Sequence, residues 1–328
     1  MSQPRTPLPL LVTGAAGFVG ARFVASAQAR GVPVISVDER SYFDARPEHA
    51  GIDLGTVVDR RDLFAWLERA RPALAGIVHL GARTDTTESD EAVLTALNVE
   101  YSQQLWRHAT AAGVPFVYAS SAATYGDGAW GYDDDEALIP RLVPLNAYGR
   151  SKHTFDQWAL AQASTPPAWS GWKFFNVYGF GERHKGMMAS VVLHAYDQLQ
   201  AGDPIRLFRS HRDGIADGHQ ARDFIDVRDI IDVLWFALHR PVARGIYNLG
   251  TGQARTYFDL ARAVCRTVGV EERIEFVDTP LKIREKYQYF TEAKTARLRA
   301  LGYAEPFTTL ESGIADYVAT LEGASSPA

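Results

Sequence analysis

A serine, a tyrosine and a lysine in the middle of the chain have the types and the spacing to move a proton. Ser121 ends an apolar run, and Tyr148 and Lys152 are four residues apart, which places them on one face of a helix. A phenol, with a pKa of roughly 10, is a poor base at neutral pH, but a neighbouring ammonium should favour the phenolate. Tyr148 is therefore predicted to take a proton from a hydroxyl, with Ser121 holding the developing carbonyl oxygen. Tyr-x-x-x-Lys alone is common, so this prediction depends on its surroundings.

A glycine-rich turn near the N-terminus supplies such surroundings. Gly14, Gly17 and Gly20 form G-x-x-G-x-x-G between a predicted strand and a predicted helix. Glycines at these positions permit a tight turn, a close approach to a pyrophosphate and close packing of the helix on the strand. The N–H groups at the start of the helix favour phosphate. The pattern therefore predicts a nicotinamide dinucleotide site, whose positive ring would further favour the Tyr148 phenolate.

The choice between NAD and NADP stays open at this point. Asp38 follows the next predicted strand, where a carboxylate can bind a ribose hydroxyl, and it favours NAD because it repels a 2′-phosphate. Arg40 could neutralise that phosphate and favour NADP, or it could be a solvated surface residue.

The elements that must position these residues alternate between strands and helices. Short apolar runs predict strands at 8–13, 33–37, 77–80, 116–120 and 173–177. Amphipathic stretches between them predict helices at 18–30, 62–71, 92–112 and 151–163. This alternation is typical of a parallel sheet covered by helices on both faces, and right-handed crossovers make it doubly wound. The predicted fold class is therefore α/β.

The alternation becomes looser after residue 177. A strand at 223–227, a helix at 228–238 and a strand at 245–249 then return to the earlier pattern. A second, smaller and discontinuous α/β domain is therefore expected to bind the substrate. The predicted boundaries are 1–176 plus 222–250 for the dinucleotide-binding domain and 177–221 plus 251–328 for the substrate domain.

Composition excludes several classes of function. The 328 residues hold 34 Lys and Arg against 39 Asp and Glu, and this net charge of −5 argues against a nucleic-acid surface. No apolar run is long enough to span a membrane, and the N-terminal one is too short for a signal peptide. The single cysteine, Cys265, excludes an intramolecular disulfide and a Cys-based zinc site. We expect a cytoplasmic protein without a metal, with a loose leader at about 1–7 and a frayed tail at 323–328.

Six short segments are similar to the extended short-chain dehydrogenase/reductase family. They read TGAAGFVG at 13–20, SS at 120–121, YGRSK at 148–152, FNVYG at 175–179, RDF at 222–224 and NLGTG at 248–252. The similarity spans residues 10–252 and therefore most of the chain. It implies a Rossmann fold, a bound nicotinamide cofactor and a catalytic group formed by Ser121, Tyr148 and Lys152.

The residues after the two serines narrow the reaction. Related dehydratases carry an acid pair there, whereas this chain reads SAATYG at 121–126, and no acid is present to expel water. Epimerisation, or plain oxidation or reduction, remains. The segments 118–126, 184–190, 86–88 and 286–291 resemble the ADP-glyceromanno-heptose 6-epimerase family. That family inverts C6″ of an ADP-linked heptose for lipopolysaccharide core synthesis, with tightly bound NADP.

Inversion of a carbinol carbon sets a further requirement. The carbon is oxidised to a ketone and the hydride returns to the opposite face, so a second proton donor must serve the second orientation. The resemblance implies Tyr148 and Lys185 as the two acid/base residues, one for each orientation. From its position alone, Lys185 could instead bind phosphate or lie on the surface.

The glycine turn and the resemblance together imply two sets of binding residues. The cofactor set is Gly14, Ala16, Gly17, Phe18, Val19, Gly20, Asp38, Glu39, Arg40, Leu80, Gly81, Ala82, Asn98, Tyr148, Lys152 and Val177. The substrate set is Ser121, Asn176, Lys185, His194, Phe208, Arg222 and Tyr287, with Arg222 expected to form a fork to the diphosphate. Three positions depart from the family pattern: Met187 replaces a serine, Glu39 replaces a frequent asparagine, and Leu80 replaces a glutamate of some relatives.

Two other functions remain compatible with the sequence. A UDP-sugar 4-epimerase shares the whole sheet domain, and a non-catalytic NAD(P)-binding regulator shares the glycine turn, although such regulators often lose the tyrosine or lysine that this chain keeps. The resemblance implies one tightly bound NADP per subunit, with NAD possible. It also implies an ADP-sugar substrate and a homo-oligomer, by resemblance a homopentamer, with no nucleic-acid or membrane partner.

Overall fold

The computed structural model describes residues 7–86, 88–240, 243–284 and 287–323. Thr87 and Lys286, which belong to the segments 86–88 and 286–291, lie outside the described residues, as do most of the predicted leader and tail.

The strands are β1 Leu10–Thr13, β2 Val34–Asp38, β3 Thr56–Asp59, β4 Gly76–His79, β5 Phe116–Ser121, β6 Trp169–Phe174, β7 Asn176–Tyr178, β8 Ile205–Phe208, β9 Ala221–Asp226, β10 Gly245–Leu249, β11 Ala254–Thr256 and β12 Ile274–Val277. The helices are α1 Phe18–Ala29, α2 Arg40–Ala45, α3 Leu63–Ala70, α4 Glu91–Leu94, α5 Tyr101–Ala112, α6 Ala147–Leu160, α7 Val191–Gln200, α8 Val227–His239, α9 Tyr257–Val268, α10 Leu281–Arg284, α11 Ala296–Ala300 and α12 Leu310–Leu321. A π-helical segment, Thr95–Glu100, joins α4 to α5, and short 3₁₀ turns lie at Pro47–His49, Ala122–Tyr125, Glu136–Arg141 and Arg183–Met188.

Seven parallel strands form the central sheet, in the order β10-β6-β5-β4-β1-β2-β3. Val12 of β1 and Val78 of β4 are opposite each other and fully buried, as expected where helices cover both faces. The strand order reverses between β1 and β4, and in such sheets ligands bind outside the carboxyl ends of the strands at this switch point. The predicted doubly wound α/β fold is confirmed.

Apolar side chains hold helices against both faces of this sheet. On one face, Trp106 of α5 and Phe155 of α6 pack edge to face, with ring centres 6.4 Å apart. On the other face, Phe23 of α1 stacks on Trp235 of α8, with ring centres 4.8 Å apart. The Trp235 indole also donates a hydrogen bond to Ser26 Oγ at 3.0 Å. These contacts set α1 and α6, the helices that carry the predicted cofactor and catalytic residues, at the carboxyl edge of the sheet.

Two elements near the predicted site differ from the sequence prediction. The predicted helix 151–163 begins at Ala147 because the side chain of Asn146 caps it, accepting from Gly149 N at 2.7 Å. The predicted strand 173–177 is divided into β6 and β7, since Phe174 pairs within the central sheet whereas Asn176 pairs with β9.

Three further differences concern strands that the sequence prediction missed or misplaced. The edge strand β3 was not predicted because it is only four residues long and half exposed. The predicted strand 223–227 corresponds to β9, which pairs with β7 and β11 in a separate sheet and not with the central sheet. The parallel pair of β8 and β12 was also missed.

A third apolar cluster lies beside the small sheets. Leu260 and Val264 of α9 and Ile314 of α12 are fully buried in it, together with side chains of α7 and β8.

The division into two domains remains a prediction. Among the described residues, no helix is long and apolar enough to cross a membrane. The same residues contain no cluster of three or more His, Cys, Asp or Glu side chains that could hold a metal ion.

Candidate active site

The glycine turn packs directly against the loop that follows β4. Gly14 has a φ of 69°, and a Cβ at this position would lie 2.6 Å from the backbone N of Gly81. A Cβ on Gly20 would overlap the Gly14 carbonyl, which already accepts a hydrogen bond from Gly17 N at 2.8 Å. The turn therefore brings bare backbone to the switch point between β1 and β4.

Helix α1 begins at Phe18, immediately after this turn. Its N-cap is Gly17, which supplies no side-chain cap, and its first turn contains no acid. The first N–H groups, those of Phe18, Val19 and Gly20, therefore have no acceptor within the helix and lie at the positive end of the helix dipole. A backbone cradle that a Cβ would fill, followed by an uncapped helix N-terminus, fits the pyrophosphate of a dinucleotide.

Asp38 ties the end of β2 to the glycine turn. Its Oδ2 accepts from Ala16 N at 3.0 Å and its Oδ1 accepts from Glu39 N at 2.8 Å. Burial raises the pKa of this carboxyl, while those hydrogen bonds and the charges of Arg46 and Arg60 oppose the shift. Asp38 is therefore held beside the turn, in the place expected of a ribose-binding carboxylate.

The residues after Asp38 form an ion-pair cluster at the surface. Glu39 lies 3.0 Å from Arg60 and 3.1 Å from Arg61, and the hydrogen bond from Arg60 is the main cause of its lowered pKa. Arg40 is exposed, and its backbone N donates to Asp59 at 3.0 Å. Arg40 was predicted beside this site, whereas Arg60 and Arg61 were not, because they follow β3, a strand absent from the predicted elements.

Asn98 holds the backbone of Arg83, the residue directly after the loop 80–82, which carries three of the predicted cofactor residues. Its Oδ1 accepts from Arg83 N at 2.7 Å, and its Nδ2 donates to Arg83 O at 3.0 Å and to Ser151 Oγ at 2.9 Å. Asn98 lies in the π-helical segment, a distortion that is frequent at functional sites. The Asn98 side chain thus links this loop to α6, and its own contact with a cofactor remains a prediction.

Ser121, Tyr148 and Lys152 meet where β5 ends and α6 begins. The Ser121 hydroxyl lies close enough to the Tyr148 hydroxyl to lower the pKa of that phenol. Ser121 Oγ also accepts from Ala123 N at 3.1 Å, and Lys152 Nζ donates to Ala119 O at 2.8 Å. The structure therefore brings all three predicted catalytic residues to one edge of the sheet, the edge that also carries the glycine turn.

Burial dominates the electrostatics of Tyr148. Burial raises the pKa of Tyr148, the nearby Ser121 hydroxyl opposes that shift, and the charge of Asp156 adds a smaller rise. Burial lowers the pKa of Lys152 to about 8, so its ammonium stays largely protonated at neutral pH, and it donates to Ala119 O at 2.8 Å. The preference for the phenolate at Tyr148 stays a prediction, because it also depends on the positive ring of the nicotinamide.

Lys185 lies beside the start of α1. Its Nζ is 3.8 Å from Glu182 Oε2 and 5.3 Å from the centre of the Phe18 ring. Burial lowers the pKa of Lys185, and Glu182 opposes that shift. Glu182 is fully buried and anchors the loop, since Ser190 donates to it from N at 2.7 Å and from Oγ at 2.6 Å. Of the contacts between described residues, none joins Lys185 to Tyr148.

Glu48 and His184 connect the Lys185 loop to the glycine turn. Glu48 was not predicted, and His184 was noted only within the segment 184–190, with no role of its own. Glu48 Oε1 is 2.9 Å from His184 Nδ1 and accepts from His184 N at 3.1 Å. The next residue, His49, pairs through Nε2 with the carbonyl of Ala16 at 2.7 Å. Glu48 and His184 are 136 positions apart, so no local spacing could have revealed the pair.

Phe208, Arg222 and Tyr287, all predicted on the substrate side, converge. The guanidinium of Arg222 lies 5.3 Å from the centre of the Tyr287 ring, and the Phe208 ring meets Tyr287 edge-on at 6.1 Å. Arg222 is almost completely buried and donates to Ala221 O at 2.9 Å and to the carbonyl of Gln288. The Arg222 guanidinium, which was predicted to form a fork to the diphosphate, therefore already spends part of its hydrogen-bonding capacity on backbone carbonyls of the protein.

The remaining substrate-side predictions, and Val177, make no contact with this cluster among the described residues. Asn176 and Val177 form the start of β7, opposite Phe224 and Ile225. His194 of α7 approaches the carbonyl of Met187 through Nε2 at 3.4 Å. No contact within the described part of the chain links these residues to Arg222, so their roles remain predictions.

Comparison with protein families matches residues 10–250 to the NAD dependent epimerase/dehydratase family. An ADP-L-glycero-D-manno-heptose-6-epimerase of Fusobacterium nucleatum is 39% identical over 320 residues, which is 94% of this chain and 96% of the relative. A protein of the same name from Nitratidesulfovibrio vulgaris is 41% identical over 330 residues, covering 97% and 99% of the two chains.

Solved structures give a consistent result. The Helicobacter pylori ADP-L-glycero-D-manno-heptose-6-epimerase superposes with a TM-score of 0.80 at 26% identity and covers 98% of each chain. A Thermus thermophilus UDP-glucose 4-epimerase in complex with NAD has a TM-score of 0.79 at 25% identity, over 97% of this chain and all of the other.

Proposed function

This chain belongs to the ADP-L-glycero-D-manno-heptose-6-epimerase group of the NAD dependent epimerase/dehydratase family, and from this we propose that it inverts C6″ of ADP-D-glycero-D-manno-heptose. The observation that carries the proposal is the meeting of Ser121 and Tyr148 at the same sheet edge as the glycine turn. The product is the L-glycero epimer. A nicotinamide dinucleotide held through its pyrophosphate at the glycine turn would supply the group that takes up the hydride and gives it back.

The chain's own residues divide the proton transfers. Tyr148 takes the proton of the C6″ hydroxyl, and Ser121 holds the oxygen as the carbonyl forms. The ketone then presents its other face, which moves its oxygen away from Tyr148. Lys185 provides the proton in that second orientation, and its lowered pKa suits an ammonium that must release one.

The test is an NMR assay with ADP-D-glycero-β-D-manno-heptose and no added cofactor. Appearance of the L-glycero epimer is the expected result, and it requires a tightly retained cofactor that recycles within the site. A lack of product after addition of NADP and then of NAD contradicts the proposal. Interconversion of a UDP-hexose in a parallel assay then supports a 4-epimerase in its place.

We propose NADP as the cofactor, one per subunit, with NAD as the alternative. Arginines surround the end of β2, where a 2′-phosphate would lie, and guanidinium groups bind phosphate through paired hydrogen bonds. They are Arg40, Arg46, Arg60 and Arg61. Glu39 opposes them, because its carboxylate already pairs with Arg60 and Arg61.

Replacing Glu39 with glutamine is expected to raise the affinity for NADP relative to NAD by about tenfold, the effect of one charge-assisted contact. The neutral amide no longer competes with a phosphate for Arg60 and Arg61. Titration calorimetry of the cofactor-free protein with each dinucleotide measures the ratio. Asp44→Asn, at an exposed acid of α2, is the matched control for the change in charge. An equal shift in both variants contradicts a specific role for Glu39.

We also propose a cytoplasmic homo-oligomer, with the homopentamer that the family resemblance implies. The sugar-nucleotide substrate supports an intracellular site, since ADP-sugars are products of ATP-dependent metabolism. Light scattering of the purified chain measures the oligomer mass directly, and a monomer at micromolar concentration contradicts this part of the proposal.

A further inference from the structure

A lysine and an aspartate form a buried ion pair under the candidate catalytic residues. The side chains of Lys173 on β6 and Asp156 on α6 are 1% and 0% exposed, and their charged atoms are 3.4 Å apart. Asp156 also accepts from Tyr118 OH at 3.0 Å and from Ser120 Oγ at 2.7 Å. Burial of two charges is costly unless both are well hydrogen-bonded, so the pair needs an explanation beyond stability.

The ion pair is connected to the turn that carries Ser121. Lys173 Nζ donates to Thr124 Oγ1 at 2.6 Å, and Thr124 Oγ1 donates to the carbonyl of Ser121 at 2.8 Å. In the sheet register, Ser120 is opposite Lys173. The two adjacent serines therefore have different surroundings: Ser120 is held by Asp156, whereas the hydroxyl of Ser121 faces Tyr148.

The pair also affects the charge around Tyr148. Asp156 lies on α6 four residues after Lys152 and eight after Tyr148, on the same helix face. Its negative charge raises the pKa of Tyr148, and Lys173 is the cation closest to that carboxylate. The other titratable groups acting on this pair come from α6, β5 and the loop after β5, and they are Lys152, His153, Tyr118, Tyr125 and Asp134.

We propose that Lys173 is a positioning residue for the epimerisation. It fixes the Ser121 turn through Thr124 and offsets the Asp156 carboxylate beneath Tyr148. The kinetic part of this inference rests on the proposed function. Its electrostatic part concerns only the ionisation of Tyr148, which can be measured without substrate.

The first experiment compares Lys173→Met with the double variant Lys173→Met, Asp156→Asn. Ultraviolet difference titration against a matched Tyr148→Phe background isolates the ionisation of Tyr148. The single variant leaves Asp156 without its cation, so the Tyr148 titration shifts to higher pH. The double variant removes both charges and returns the titration to the wild-type position or below. An unchanged titration in both variants overturns the electrostatic part.

The second experiment tests the link to Ser121 without altering either charge. Thr124→Val removes the hydroxyl that joins Lys173 to the Ser121 carbonyl, and Thr124→Ser keeps it. We expect kcat of the valine variant to fall about tenfold with little change in KM, as for loss of an interaction made in the transition state, and the serine variant to retain most of the activity. Equal kcat in both variants overturns the positioning role.

These two readouts also separate this inference from the proposed function. A wild-type protein that does not turn over ADP-heptose contradicts the proposed function, while the difference titration still decides whether Lys173 sets the Tyr148 ionisation. If Lys173→Met fails to fold, the double variant and the Thr124 pair remain informative, because neither leaves an unpaired buried charge.

Discussion

Tyr148→Phe is expected to lower kcat by about 10²- to 10⁴-fold, the contribution typical of a general acid/base. The change removes only the hydroxyl that faces Ser121, so the aromatic ring and the fold persist. Lys185→Met is expected to cause a loss of the same order, because each residue serves one orientation of the sugar. The double variant should show no turnover in the NMR assay while its cofactor content stays at the wild-type level.

The control for this series is Tyr42→Phe, at an exposed tyrosine of α2, which should keep wild-type activity. Two outcomes would count against the assignment. Substantial turnover by the double variant contradicts the two-residue mechanism. Full activity of Lys185→Met alone, with weakened cofactor retention, would make Lys185 a phosphate ligand, a reading that its position beside Phe18 also permits.

Gly20→Ala is expected to lower the free energy of unfolding by about 3 kcal/mol, at the upper end for an overpacked buried site. The new Cβ would overlap the Gly14 carbonyl, which is backbone and cannot turn aside. Relief of that overlap moves α1 away from the turn, so the cradle for the pyrophosphate opens. We therefore expect the purified variant to contain little or no cofactor.

Denaturant unfolding and the absorbance of released cofactor measure both effects. Gly76→Ala is the matched control, since Gly76 is also buried but its Cβ would have its nearest neighbour at an ordinary 3.4 Å, the Pro115 carbonyl. If Gly20→Ala has the same stability and cofactor content as this control, the close packing of α1 on the turn is not required.

Local patterns in the sequence were sufficient for several features of the site. The glycine spacing predicted the turn and the start of α1, because backbone conformation and close packing depend on which of a few neighbouring residues lack a Cβ. The four-residue spacing of Tyr148 and Lys152 predicted a shared helix face, which α6 provides. Alternating apolar runs predicted the parallel sheet, since strands buried on both faces need continuous apolar sequence.

The sequence by itself therefore determined the fold class, the glycine turn and the choice of Ser121, Tyr148 and Lys152 as the predicted catalytic group. Tertiary structure alone decided what surrounds them. It paired Ser120 with Asp156, placed Lys185 beside Phe18, joined Glu48 to His184 and assigned β9 to a separate sheet. The reason is physical: backbone conformation follows from residues a few positions apart, whereas the pKa of Tyr148 and the partners of a buried charge depend on groups that the chain brings together from distant positions.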